Sequence, residues 1–345
     1  MKRAFAALIL ALALLPHHKA SAAEACAHEG KVHYLCGPKN AEDLARIPGT
    51  PYLAVSGMSS GKGGALYLVD ASRRTAVPLA VDYRGRAQRP YDRCPGPPAS
   101  LEPHGLALRP GKGGRHLLYA VNHGGRQSVE LFEVDAASGP PKARWIGCVV
   151  MPADMNPNSV APTPEGGFVV TKFDANDRTG FPAMAAGKLT GAVFEWAPGK
   201  GLRELPGTAL SGDNGIEVSP DGRWIYVNAW GEGRVVRFWR QGGGGPPPAS
   251  AKLDFLPDNI HWGPNGQLLV TGQVADIRTL FSCEAGRCPH DWAVVRLDPA
   301  TMRVRPLVRE PGTAAFSDAT GALQVGDEVW AGTYRGDRLA VVPVK

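Results

Sequence analysis

What this chain lacks narrows its function first. After residue 15 it has no apolar run long enough to span a bilayer. Its lysines and arginines are scattered, so a formal net charge of +6 leaves no nucleic-acid footprint. None of its six cysteines has the spacing of a zinc site or a haem attachment. There is no Walker-type phosphate loop, because Gly61-Lys62 runs into Gly63 and the glycine spacing is wrong. One Gly-x-Ser-x-Gly match exists, Gly57-Met58-Ser59-Ser60-Gly61. A nucleophile elbow needs a helix after the serine, whereas Ala65-Leu66-Tyr67-Leu68-Val69 reads as a strand.

The first residues read as an export signal. Lys2 and Arg3 precede the uncharged apolar run Ala4 to Leu15, and Ala20-Ser21-Ala22 offers a small-residue cleavage site. Cleavage after Ala22 makes residues 1–22 the signal and 23–345 the mature chain, periplasmic or secreted. The signal carries three cations and no acid, so the mature chain sits near +3. Disulfides fit that compartment. Cys283 with Cys288 and Cys26 with Cys36 are expected to close short loops, which leaves Cys94 with Cys148.

With 43 glycines and 31 prolines the chain is turn-rich, as an all-β protein must be. Six times, a short polar cluster is followed by a glycine turn and an apolar strand. The clusters are Glu42-Asp43, His104, Asn158, Asn214, Asp258-Asn259 and Asp318, and the glycines are Gly49, Gly114, Gly166, Gly222, Gly266 and Gly326. Four of the six cluster-to-glycine offsets are 8 residues; the offset from His104 is 10, lengthened by the insertion Gly111-Lys112-Gly113-Gly114. Successive clusters are 62, 54, 56, 44 and 60 residues apart, the length of four-stranded blades with long loops. The pattern predicts a six-bladed β-propeller of four-stranded antiparallel blades, with one polar residue per blade at one mouth of a central channel. Gly242 to Pro248 reads as a surface loop inside a repeat. The inserts Asp82 to Ser100 and Asp174 to Leu189 are placed to shape a pocket.

Carboxylate and amide oxygens without cysteine are ligands for a hard cation, and calcium accepts six to eight oxygens in loose geometry. Glu42, Asn158, Asn214, Asp258 and Asn259 would supply five. Each also favours tight turns, so any one of them alone reads as loop chemistry; the recurring offset argues for the set. His104 begins a repeat and His123 ends the strand after it, so both rings are expected at one end of the channel, where a histidine beside a polarised carbonyl can act as general base. His261 is expected to pack beside the channel.

These segments resemble a known family. Ala41-Glu42-Asp43-Leu44, Pro103-His104-Gly105-Leu106, Val121-Asn122-His123, Asp213-Asn214-Gly215-Ile216 and Asp258-Asn259-Ile260 are similar, in order, to paraoxonase. That family is the calcium-dependent arylesterase and lactonase branch of the gluconolactonase and strictosidine-synthase-like propellers. The resemblance implies a catalytic calcium on Glu42, Asn158, Asn214, Asp258 and Asn259, and a histidine dyad of His104 and His123. It also implies a second calcium on Asp43, the Leu106 carbonyl and the residue at position 159. There the chain departs from the family, since Ser159 stands where an acid is expected. The family's disulfide between the chain ends is missing too, because no cysteine follows Cys288. Strand pairing or other bridges must close the ring.

The expectation is an exported calcium-dependent hydrolase whose partner is a small ester or lactone. The alternatives are a non-catalytic propeller that binds a small molecule or partner with structural calcium, and a strictosidine-synthase-like enzyme.

Overall fold

Each repeat folds into one sheet, antiparallel but for the short edge strand Val81–Asp82 of the second, and the six sheets follow one another in chain order as a six-bladed β-propeller. The computed structural model describes residues 25–59, 63–175, 179–241, 248–278, 280 and 289–344. The innermost strands are Ala41–Arg46, Pro103–Arg109, Asn156–Pro162, Asp213–Val218, Leu256–Trp262 and Ala319–Val325, in blades 1 to 6. Each touches the innermost strand of the next blade, and the sixth touches the first, which makes the ring. Blade 6 takes its fourth strand, Val32–Cys36, from the other end of the chain, with His33 opposite Val341 and Leu35 opposite Leu339. Strand pairing therefore closes the ring without a disulfide between the chain ends.

The second strand of each blade is apolar nearly throughout because both of its faces are covered. In Tyr52–Gly57, Leu53 and Val55 pack toward blade 6 while Ala54 packs toward blade 2. Six such apolar layers, one between each pair of blades, form the core. The glycines predicted at the turns, Gly49, Gly114, Gly166, Gly222, Gly266 and Gly326, all have φ between 61° and 93°, a conformation that side chains disfavour. Among the described residues, helix is limited to Gly180–Ala185 and two single 3-10 turns, and no helix is long and apolar enough to cross a membrane.

Cys94 and Cys148 are bonded, tying the loop after blade 1 to the outer strand of blade 2. Cys36 is disulfide-bonded. Cys26 lies opposite Tyr34 on the paired strand, but its side chain is outside the described residues, as are Cys283, Cys288, the signal segment and residues 242–247. The next described element after Ser59 is the strand Ala65–Asp70, not the helix that a nucleophile elbow needs.

Candidate metal centre and histidine pair

The polar clusters converge because of one backbone device repeated six times. In every innermost strand two residues oppose a single residue of the second strand, which is a β-bulge. The bulged pairs are Glu42-Asp43, His104-Gly105, Asn158-Ser159, Asn214-Gly215, Asp258-Asn259 and Thr320-Gly321. Freed from the ladder, the first residue of every pair lines one cavity of about 220 Å³ at the upper mouth of the channel. The sequence reading erred in blade 6, where it chose Asp318. The turn at Gly326 is shorter than its counterparts, so the residue at the bulge is Thr320, whose hydroxyl donates to the Glu42 carbonyl (2.6 Å). Asp318 is buried instead against His290 Nδ1 and the Ser317 hydroxyl, both at 2.7 Å.

Polar residues of the second strands clamp the bulges. Ser56 Oγ accepts from the Asp43 amide (2.8 Å), Thr171 Oγ1 accepts from the Ser159 amide (2.9 Å), and Asn228 Nδ2 donates to the Asp258 carbonyl (2.7 Å). The second bulge position alternates around the ring: Asp43, Gly105, Ser159, Gly215, Asn259, Gly321. Each glycine makes room for the following blade. A Cβ on Gly215 would lie 2.5 Å from the Asp258 carbonyl oxygen, and one on Gly105 would lie 2.5 Å from that of Asn158.

The expected first-calcium residues therefore meet. Glu42, Asn158, Asn214 and Asp258 line the cavity, and Asn259 lies behind it with Nδ2 donating to Glu42 Oε1 (2.6 Å). Four of their oxygens are buried without a hydrogen-bond partner: Glu42 Oε2, Asn158 Oδ1, Asn214 Oδ1 and Asn259 Oδ1. A buried acceptor without a donor costs about 1–3 kcal/mol, so four in one place suit a shared positive partner. The carboxylates report the same deficit. Burial, then the charge of Asp43, pushes Glu42 well above the usual carboxylate range. Burial, then the charge of Glu42, raises Asp258 to about 8. Two acids and three amides, all oxygen donors and spread over four blades, fit calcium. Gln273 steadies the set, its Nε2 donating to Asp258 Oδ2 (2.8 Å) while its Oε1 accepts from Trp230 Nε1 (3.0 Å).

His104 and His123 also meet. His104 Nδ1 lies 2.7 Å from His123 Nε2, and His123 Nδ1 lies 2.6 Å from Gln127 Oε1. An amide oxygen only accepts, so His123 carries its proton on Nδ1 and His104 donates from Nδ1. That leaves the lone pair of His104 Nε2 at the cavity wall, 3.4 Å from Glu42 Oε1. Burial lowers the pKa of His104; burial, then the neighbouring His104, lowers that of His123 to about 4. Both rings are neutral at ordinary pH.

The second-calcium set does not form an oxygen cage. The Leu106 amide nitrogen, not its carbonyl, faces Asp43, donating to Oδ2 (2.7 Å). Asp43 Oδ1 accepts from the Leu44 amide (2.8 Å) and lies 2.6 Å from His261 Nε2. His261, read from sequence as a neighbour of the channel, stands in it. Burial alone would depress its pKa, but the charge and hydrogen bond of Asp43, with Glu217, outweigh burial and raise it to about 10.

Gln127, Gln273 and Thr320 were not legible as site residues, because no repeat offset marks the first two and a shortened turn hides the third. The apolar wall, Phe173, Phe181, Trp230 and Leu280, was missed for the same reason. Of the two inserts expected to shape the pocket, the second supplies Phe181 on Gly180–Ala185. Among the described residues, none between 82 and 100 lines the upper cavity.

No protein-family model matches the chain, and no curated protein sequence does. Solved structures share its fold. A gluconolactonase from Xanthomonas campestris, XC5397, superimposes with a TM-score of 0.55 at 16% identity, over 91% of this chain and 89% of the other. A luciferin-regenerating enzyme gives 0.55 at 13% identity, over 90% and 94%. Regucalcin of Agrobacterium tumefaciens, described as a calcium-binding protein, gives 0.52 at 15% identity, over 89% and 92%. The gluconolactonase and the regucalcin among them agree with the wider superfamily that the sequence pointed to. They do not single out the paraoxonase branch, and at such identities the likeness is one of fold.

Proposed function

We propose that the protein is an exported, calcium-dependent hydrolase of small lactones or aryl esters. One observation carries the reading: four partnerless buried side-chain oxygens and two carboxyls of raised pKa gather at and just behind the wall of a cavity that a neutral histidine also lines. Glu42, Asn158, Asn214, Asp258 and Asn259 would hold the ion. When bound, calcium supplies a positive centre that polarises a carbonyl group and stabilises the oxyanion formed on it.

The chain's own groups do the rest. His104 Nε2 takes a proton from water as its oxygen attacks the carbonyl carbon, then returns it to the leaving oxygen. Holding His104 Nδ1–H, the ring of His123 fixes the tautomer, and Gln127 fixes that of His123. Phe173, Phe181 and Trp230, in mutual edge-on contact, offer an apolar wall to the acyl or aryl part. A cavity of about 220 Å³ favours a single small ring. The gluconolactonase and calcium-binding descriptions of two propellers of this fold agree with the reading. So do the Cys94–Cys148 bond and the signal-like first residues, as regards export.

The second reading is a propeller that holds calcium without hydrolysis, since an ion bridging four blades would also stiffen the ring. The deciding experiment is turnover of a panel of lactones and aryl esters before and after chelation. Activity lost with the ion, restored by calcium, and reduced at least about 100-fold in Asn214→Ala is expected. Full activity in Asn214→Ala would sink the cation's role, and calcium binding without turnover would favour the second reading.

A further inference from the structure

We infer that the imidazole of His261 stands where the resemblance places a second calcium, so that this propeller holds one cation and a plug of its own side chains beneath it. The first cation rests on the function proposed above; the absence of the second does not.

Asp43 is fully buried. Its carboxylate is already engaged by the Leu44 amide, the Leu106 amide and His261 Nε2 at 2.8, 2.7 and 2.6 Å. An oxygen cage would need the Leu106 carbonyl turned toward Asp43; its amide is turned there instead. The other imidazole nitrogen, Nδ1, lies 3.7 Å from Glu217 Oε1, so the ring sits between two carboxylates from blades 1 and 4. At position 159 an acid is replaced by Ser159, whose amide and carbonyl are both tied to Thr171 Oγ1. One expected negative ligand is gone and a nitrogen donor has arrived. Both changes lower the demand for a metal at the same point. A divalent ion touching Asp43 would also have to displace a ring already in hydrogen-bond contact with it.

The consequence is a divided channel. The upper cavity is lined by Glu42 and the other first bulge residues. A second cavity, about 560 Å³, opens at the opposite ends of the innermost strands and is lined by Glu217, His261, Arg46 and Arg109. The Asp43–His261 contact separates the two.

The test is a metal count on the purified mature protein, stripped with chelator and re-equilibrated with calcium, for wild type, Asn214→Ala and Asp43→Asn. One ion per chain in wild type, lost in Asn214→Ala and kept in Asp43→Asn, is expected. Two ions, falling to one in Asp43→Asn, would overturn the inference. No ion at all would sink the calcium reading of the upper site, and the single cation with it, while supporting the absence of a second. A second measurement asks for the converse. The double variant His261→Ser, Ser159→Asp should gain a second ion per chain in the same metal count, which the single variant His261→Ala should not. His261→Ala itself should melt lower by roughly 5–10 °C, because it leaves the buried Asp43 without its imidazole partner; an unchanged Tm would count against the plug.

Discussion

Nδ1 of His104 lies 2.7 Å from Nε2 of His123, although the residues are 19 apart in the chain. Strands Pro103–Arg109 and Arg115–Asn122 run antiparallel, so the start of one and the end of the other share the upper rim of blade 2. With both pKa values lowered by burial, the pair is a base that stays unprotonated through neutral pH. The pH profile of kcat/KM should therefore show its acidic limb below the ordinary histidine value of 6.5. His104→Ala should lower kcat roughly 100- to 10,000-fold. Gln127→Leu, which removes the hydrogen bond to His123, should lower kcat about 10-fold and shift the acidic limb with KM unchanged. A limb unmoved in Gln127→Leu would deny it a positioning role.

Removing calcium should make stability fall as pH rises. The Asp258 carboxyl titrates near 3.8 when unfolded and near 8 when folded without the ion. Between those values the folded chain binds more protons, so the contribution is fully present below pH 3.8 and is lost as pH climbs through 8. Urea melts of the calcium-free protein at pH 5 and pH 8 should show this slope, and saturating calcium should flatten or reverse it. Calcium binding at pH 7 should also release protons, measurable by calorimetry in buffers of different ionisation heat. No slope and no proton release would place Asp258 outside the site.

Gly215→Ala should damage the site more than the fold. Its Cβ would meet the Asp258 carbonyl oxygen at 2.5 Å and the Asn259 Cα at 2.8 Å, both backbone atoms that must shift. Calcium affinity should fall at least about 10-fold, the equivalent of 1.4 kcal/mol. Gly49→Asn is the control: its φ is 73°, nothing lies within 4 Å, and Asn tolerates that conformation. It should cost no more than about 1 kcal/mol of stability and leave calcium affinity unchanged.

Breaking the Cys94–Cys148 bond should cost stability without touching the site. The bond spans 54 residues, for which loop closure gives about 4 kcal/mol. Paired Cys94→Ser and Cys148→Ser changes should lower Tm by several degrees. Calcium affinity should hold, because no residue from 82 to 100 among those described lines the upper cavity.

The sequence by itself determined the ring and most of the residues that meet at the upper cavity. Apolar second strands and positive-φ turn glycines are local consequences of composition and spacing, and their period counted the blades. Glu42, Asn158, Asn214 and Asp258 followed, because a bulge at a fixed depth in each blade keeps a nearly fixed offset from its turn. Where that offset failed, so did the reading: a shortened turn moved the sixth position from Asp318 to Thr320. Tertiary structure alone decided the rest. Gln127 reaches His123 through strand pairing, and His261 reaches Asp43 across 218 residues because blades 5 and 1 both face the axis. No local pattern encodes which of two cationic partners, an ion or an imidazole, a buried carboxylate will meet. That choice is made where strands from different blades converge, by the space and charge each leaves for the others.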